Sequence, residues 1–192
     1  MTSLPYIHIG ILILLLGAQH SGRSFWVWLR SHSVAVTAGV TVIALAAAIH
    51  LQFIAWQSGP PSSLLLPPYQ GIGYFLFYAL TRYMAPYLLS AAIGFVAYYA
   101  LCWINARHDN RFFYADEPTI IALCIATTSH PLWIGYLVVA TGLFLITALV
   151  RMMLFGRTTR TSMYYIWIPA AILFLAALPL LRTLPAFLLL KI

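Results

Sequence analysis

The carboxylates of this chain are few and close together. Only three of 192 residues are acidic, and Asp109, Asp116 and Glu117 fall between positions 109 and 117. Two carboxylates that share a proton can activate water and polarise a carbonyl. Asp116 and Glu117 also directly precede Pro118 and an apolar run. This is an N-cap position, where the helix dipole stabilises negative charge by about 0.3–1 kcal/mol. A capping role alone, or capping together with catalysis, both stay open.

His50 is the second candidate for chemistry, because it lies well inside a clear apolar run. The other five histidines, His8 among them, lie nearer to segment ends. Three interpretations are open: a buried or interfacial side chain, a charge-assisted partner of Asp116 across a helical bundle, or a haem or metal ligand. No two histidines have HxxxH spacing within an apolar run. We therefore expect no metal site and no cofactor.

The two cysteines, Cys102 and Cys124, both lie within apolar segments and lack CxxC spacing. We expect them to pack as small hydrophobic side chains rather than to form a disulfide or a metal site.

The composition decides which elements must position these residues. The chain is 63% hydrophobic and 7% charged, whereas soluble domains carry about 25% charged residues. Lipid tolerates such a composition, and long apolar runs without alternation predict helices. We therefore predict an all-α, polytopic transmembrane helical bundle of about six to seven segments, in one integral membrane domain over residues 1–192.

Seven apolar segments can be placed on the sequence. They cover residues 5–18, 33–56, 69–80, 86–105, 119–128, 132–155 and 164–181. The second is the clearest, because it has no acidic or basic residue and ends at Gly59-Pro60-Pro61, a strong helix terminator. The third is short, and we predict a break after it at Thr81-Arg82.

The formal charge of +7 comes from ten basic residues against three acids. These basic residues lie singly or in small groups between apolar runs, as expected of anchors near lipid head groups, so we expect the lipid bilayer and no nucleic acid as a partner. Clustering favours a cytoplasmic position for the loops at 107–111 and 151–160. Simple alternation puts Arg23 and Arg30 on the other side and divides the basic residues five against five, so the positive-inside rule does not decide the orientation.

Residues 113–123 resemble the segment around the second catalytic aspartate of type IV prepilin peptidases. In that family a Gly-x-Gly-Asp motif opens an apolar helix. Asp116 matches the motif aspartate, and Ala122 and Leu123 match a small residue followed by Leu six and seven positions later. The order of the later segments is also similar, with a restart at Pro131 and a basic loop before the last helix. The resemblance covers about residues 35–182.

The sequence departs from this family at its functional positions. Both motif glycines are absent, Ala115 precedes Asp116, and Pro118 stands where lysine is usual. His50 occupies the place of the first catalytic aspartate, and an imidazole cannot reproduce a symmetrical carboxylate dyad.

Two functions follow from this mixture of likeness and departure. The resemblance implies a diverged or inactive aspartic peptidase of the bacterial inner membrane, with Asp116 and His50 as candidate catalytic residues. Such a protein would act on, or bind, pilin-like precursors. The alternative is a non-catalytic structural subunit of a larger membrane complex, such as a secretion, pilus or energy-transducing assembly. The distance between the His50 ring and the Asp116 carboxylate separates a shared site from two unrelated positions.

Overall fold

The structure, a computed structural model, describes residues 3–21, 23–155, 163–181 and 183, without the side chains of residues 3, 21, 23–30 and 155. Within these ranges the chain is helical and has no strand, which confirms the all-α prediction. The α-helices are α1 (Ser3–Ser21), α2 (Arg23–Gln57), α3 (Ile72–Ala79), α4 (Ala85–Arg107), α5 (Glu117–Thr128), α6 (Trp133–Phe155) and α7 (Trp167–Leu181). A 3₁₀ turn covers Ser62–Leu65 and a π turn covers Leu80–Met84.

Three helical stretches of the described chain are long and apolar enough to cross a bilayer. They are Ser31–Gln57, Ile72–Arg107 and Trp133–Leu154, each longer than the roughly 20 residues that a crossing needs. The apolar helices α1, α5 and α7 are shorter. The protein is therefore an integral membrane protein built as a helical bundle.

The predicted break at Thr81-Arg82 is wrong, because α3, the π turn and α4 form one continuous helix of 36 residues. Pro86, at the start of α4, explains the π turn. Proline has no N–H to donate and its ring crowds the carbonyl four residues earlier. Widening the preceding turn lets the helix continue through this position.

Contacts between the helix ends fix the direction of the chain. The Gln19 side-chain amide donates to the Tyr164 carbonyl over 3.3 Å, and Trp167 Nε1 donates to Glu117 Oε1 over 2.7 Å. The end of α1 and the starts of α5 and α7 thus lie at one end of the bundle, which we call the acidic end. Helix α1 ends there at Ser21 and α2 begins two residues later, so the backbone of Arg23 is at the same end as the 107–111 loop. The simple alternation that placed it opposite is wrong.

Helix α5 lies at the centre and packs against α1, α4, α6 and α7. Nine of its twelve residues are buried, as expected of a helix that is apolar all round. The approach of α4 to α5 is close, because a Cβ added to Gly94 would lie 2.7 Å from the backbone oxygen of Ala122. A second hydrophobic cluster joins α2 to α3 and the π turn, with Leu45, Phe75 and Tyr83 buried in it.

Candidate functional site

Asp116 occupies the N-cap position of α5, as predicted, but its side chain makes no capping hydrogen bond. The side chain is partly exposed. Asp109 lies in the turn that precedes it, with φ of 54°, and its carboxylate is 3.7 Å from Arg111. Both members of that pair are strongly exposed, with 84% and 76% of their side-chain surface accessible, so the pair contributes little to stability. Asp109 is therefore paired with Arg111 in an exposed turn.

Glu117 is the carboxylate that the fold buries, with 2% of its surface exposed. Its Oε1 accepts the 2.7 Å hydrogen bond from Trp167 Nε1, and its Oε2 accepts one of 3.0 Å from the backbone N–H of Tyr114. The side chain thus ties the start of α5 to the start of α7 and to the preceding turn. Hydrogen bonds to a charged group are worth about 1.5–3 kcal/mol, so these contacts make Glu117 a structural residue of the acidic end.

His50 is exposed on α2 and far from Asp116. His8 shows how α2 and α5 are aligned along the bundle axis, because its ring contacts both helices. Its Nδ1 is 3.0 Å from the Thr127 carbonyl of α5, and its Nε2 is 2.9 Å from Thr41 Oγ1 of α2. Thr41 and Thr127 are therefore level with each other. Asp116 precedes Thr127 along α5 towards the acidic end, and His50 follows Thr41 along α2 towards the opposite end. At 1.5 Å per residue the two side chains lie roughly 30 Å apart along the bundle.

The structure thus places the two candidate catalytic residues in separate environments. A catalytic role for Asp116 or for His50 stays a prediction, but within the described chain the two do not form one site.

His8 is the histidine that the structure buries, and the sequence pointed instead to His50. His8 is fully buried where α1, α2 and α5 meet, with the edge of its ring towards Tyr87 at 5.8 Å between centroids. It shares a helix face with the buried residues Leu4, Leu12 and Leu15, following the i, i+4, i+8 spacing of one side of a helix. That spacing could have shown that His8 lies on the buried face. In α1 the other faces are apolar too, so the sequence does not distinguish the buried face.

A lateral groove opens between α2 and α4, with α5 as its floor. Its volume is about 530 Å³. It runs from Val34 to Leu45 on α2, and from Met84 at the end of the π turn to Tyr99 on α4. Five of its eighteen lining residues are alanine or glycine, and four are aromatic. The small residues are Ala38, Ala91, Gly94, Ala122 and Ala126.

Thr37 forms part of the wall of this groove, but its hydroxyl oxygen is covered. The residue is 6% exposed, and the hydroxyl has no hydrogen-bond partner within the described part of the chain. Buried hydroxyl groups in proteins are normally hydrogen-bonded. The groove therefore offers space and small residues, and the covered Thr37 hydroxyl adds no accessible polar contact.

The chain matches no protein-family model, no curated protein and no solved structure.

Proposed function

We propose that this protein is a non-catalytic subunit of a membrane complex, and that it holds a transmembrane helix of a partner in the groove between α2 and α4. The observation that carries the proposal is this groove, which lies between two membrane-crossing helices and is floored by small residues. Association of helices in lipid depends on close backbone approach at small residues and on hydroxyl hydrogen bonds. The groove supplies the small residues.

The dimensions of the groove fit one face of a helix. Val34 and Leu45 are eleven residues apart and Met84 and Tyr99 fifteen, so its walls are about 16–22 Å long. This covers much of a hydrocarbon layer of about 30 Å. The volume admits the side chains along one helix face, not a whole helix. The small residues of the groove favour a partner helix that also has small residues on the docking face.

The separation of Asp116 from His50 is what argues against catalysis. The peptidase-like alternative is favoured by the resemblance around Asp116, which also supports a bacterial inner membrane and a secretion or pilus assembly as the setting. In that alternative the apolar segment of a pilin-like precursor would occupy the same groove. The two proposals differ in whether the Asp116 carboxylate acts on the bound chain.

The charge distribution supports an orientation in which the acidic end faces the cytoplasm. Arg107, Arg111 and Arg151 lie towards that end, as does the backbone of Arg23, whereas Arg82 is the basic residue that the described chain places towards the other end. Cytoplasmic loops carry the excess of Lys and Arg. A cysteine placed in the exposed 107–111 turn should be protected from a membrane-impermeant thiol reagent in intact cells. Labelling there would contradict the orientation.

The groove is tested with a photoreactive amino acid at position 91, with position 92 as the matched control. Both alanines are exposed neighbours on α4, but only Ala91 lines the groove. We expect position 91 to crosslink to an apolar segment of one membrane protein and position 92 to crosslink chiefly to lipid. Ala91→Trp should lower copurification of that partner at least fivefold, whereas Ala92→Trp should not. Equal crosslinking from both positions would remove the proposal.

Catalysis is tested separately with Asp116→Asn. If the protein is non-catalytic, the native protein and the Asp116→Asn variant should give the same partner length and the same processing of pilin-like precursors. Loss of processing in the variant, with partner binding retained, would establish the peptidase-like alternative instead.

A further inference from the structure

A second cavity, of about 440 Å³, lies at the end of the bundle opposite the acidic end. Its walls come from α1, α2 and α7, from the π turn and the start of α4, and from the end of α5 with the turn that follows. We infer that this cavity binds the anionic head group of a membrane phospholipid. The inference is independent of the groove and of any partner helix, because it rests on different side chains.

The polar side chains of this cavity present hydrogen-bond donors. The Tyr83 hydroxyl donates to Gln52 Oε1, which leaves the amide N–H groups of Gln52 available. Trp133 Nε1 donates to His130 Nδ1 over 3.3 Å, so the ring proton of a neutral His130 lies on Nε2 and can be donated. Arg82 adds a guanidinium group at the rim. Three donor groups around one space are suited to an anion.

Among the residues that the structure describes, none gives Arg82 a counter-charge at this end of the bundle. The three acidic residues of the chain lie between positions 109 and 117, at the acidic end and roughly 30 Å away by the helix rise. A basic residue near a membrane surface attracts anionic lipid. Arginine also snorkels to head groups without any built site, but here it lines a cavity that has further donors and a concave shape.

The depth of Arg82 also fits a head group. At the acidic end Arg107 lies over the Trp103 ring, 5.3 Å from its centroid, and such aromatic and basic residues mark an interface. From Trp103 back to Met84 the helix rises by about 29 Å, close to one hydrocarbon thickness of about 30 Å. Arg82 therefore lies at the level of the other head-group layer.

The α2 wall of the cavity is apolar where it is exposed, and it favours a ligand with hydrocarbon chains. Ala47, Leu51 and Ala55 line it and are exposed, Leu51 over 65% of its surface. Inorganic phosphate would leave this surface uncovered. A phospholipid places its phosphate against the donors and its acyl chains along the apolar wall.

The test compares binding of phosphatidylglycerol and phosphatidylcholine to the purified full-length protein by native mass spectrometry. We expect the native chain to prefer the anionic lipid. Arg82→Gln should lower that preference about fivefold, the effect of one basic residue near an anionic surface. Arg82→Lys should keep most of the preference, because it keeps the charge. Arg151→Gln is the matched control, since Arg151 is also an exposed arginine on a membrane helix but lies towards the acidic end.

Each outcome decides the inference. The ratio of the two lipids is measured within each variant, so it does not depend on how much protein folds. Equal binding of both lipids by the native chain, or equal loss of preference in Arg82→Gln and Arg151→Gln, would overturn the site. Excess inorganic phosphate should leave the phosphatidylglycerol bound. Full displacement by phosphate would show a simple anion site and would overturn the assignment to lipid.

Discussion

Replacing Gly94 by alanine tests whether close contact between α4 and α5 holds the bundle together. The added Cβ would lie 2.7 Å from the Ala122 backbone oxygen, and ordinary contacts begin at 3.4 Å, so the two helices must separate locally by about 0.7 Å. Overpacking of this kind costs about 1–3 kcal/mol. Alanine also favours helix over glycine by about 1 kcal/mol, which offsets part of that cost. Gly39→Ala on α2 supplies the control, because a Cβ there meets nothing within 4 Å.

Both substitutions change the same side chain in a helix, so the intrinsic helix preference cancels when they are compared. We expect Gly94→Ala to be less stable than Gly39→Ala by about 1–3 kcal/mol. Loss of helical circular dichroism during titration with sodium dodecyl sulfate in mixed micelles measures this difference. A Gly94→Ala protein as stable as the Gly39→Ala protein would refute the close packing of α4 on α5.

Two further pairs of variants test the buried polar groups. Glu117→Ala should destabilise the protein by about 2–3 kcal/mol, because it leaves the buried Trp167 indole N–H without its acceptor. Glu117→Gln keeps one acceptor oxygen for that N–H but turns an NH₂ group towards the Tyr114 N–H, so it should cost less than Glu117→Ala without restoring native stability; equal losses in the same titration would contradict the bond to Trp167. His8→Ala should cost about 2–3 kcal/mol through a cavity and two lost hydrogen bonds, and His50→Ala should stay within about 0.5 kcal/mol of the native protein. A larger effect at His50 than at His8 would reverse our account of which histidine the bundle buries.

The sequence was a good guide to where helices occur. The apolar segments at 119–128 and 132–155 correspond closely to α5 and α6, because Pro118 and the polar Ser129-His130-Pro131 interrupt the apolar pattern. The same reasoning failed at Thr81-Arg82, where polar residues suggested a break. A π turn kept the helix continuous, and composition carries no information on such a change of winding.

The candidate site was harder to predict because it depends on which faces meet. Glu117 and Asp116 are adjacent in sequence, yet one is buried and the other partly exposed. Glu117 is the buried one of the two because Trp167, fifty positions later, donates a hydrogen bond to it. His8 and His50 present the same difficulty. In a helix that is apolar on every side, the sequence does not show which side meets protein and which meets lipid.

The π turn at Leu80–Met84 lets one long helix serve two different neighbours. Before it, Phe75 and Ala79 face the cluster shared with α2, and after it, Ser90 and Gly94 face α5. Deleting a single residue within the turn would rotate one half against the other by about 100°. Either the face with Phe75 and Ala79 or the face with Ser90 and Gly94 would then turn towards lipid. The π turn therefore fixes the rotation of the helix after it relative to the helix before it. Insertions or deletions within the turn should be tolerated far less than equal changes in the loop before α3.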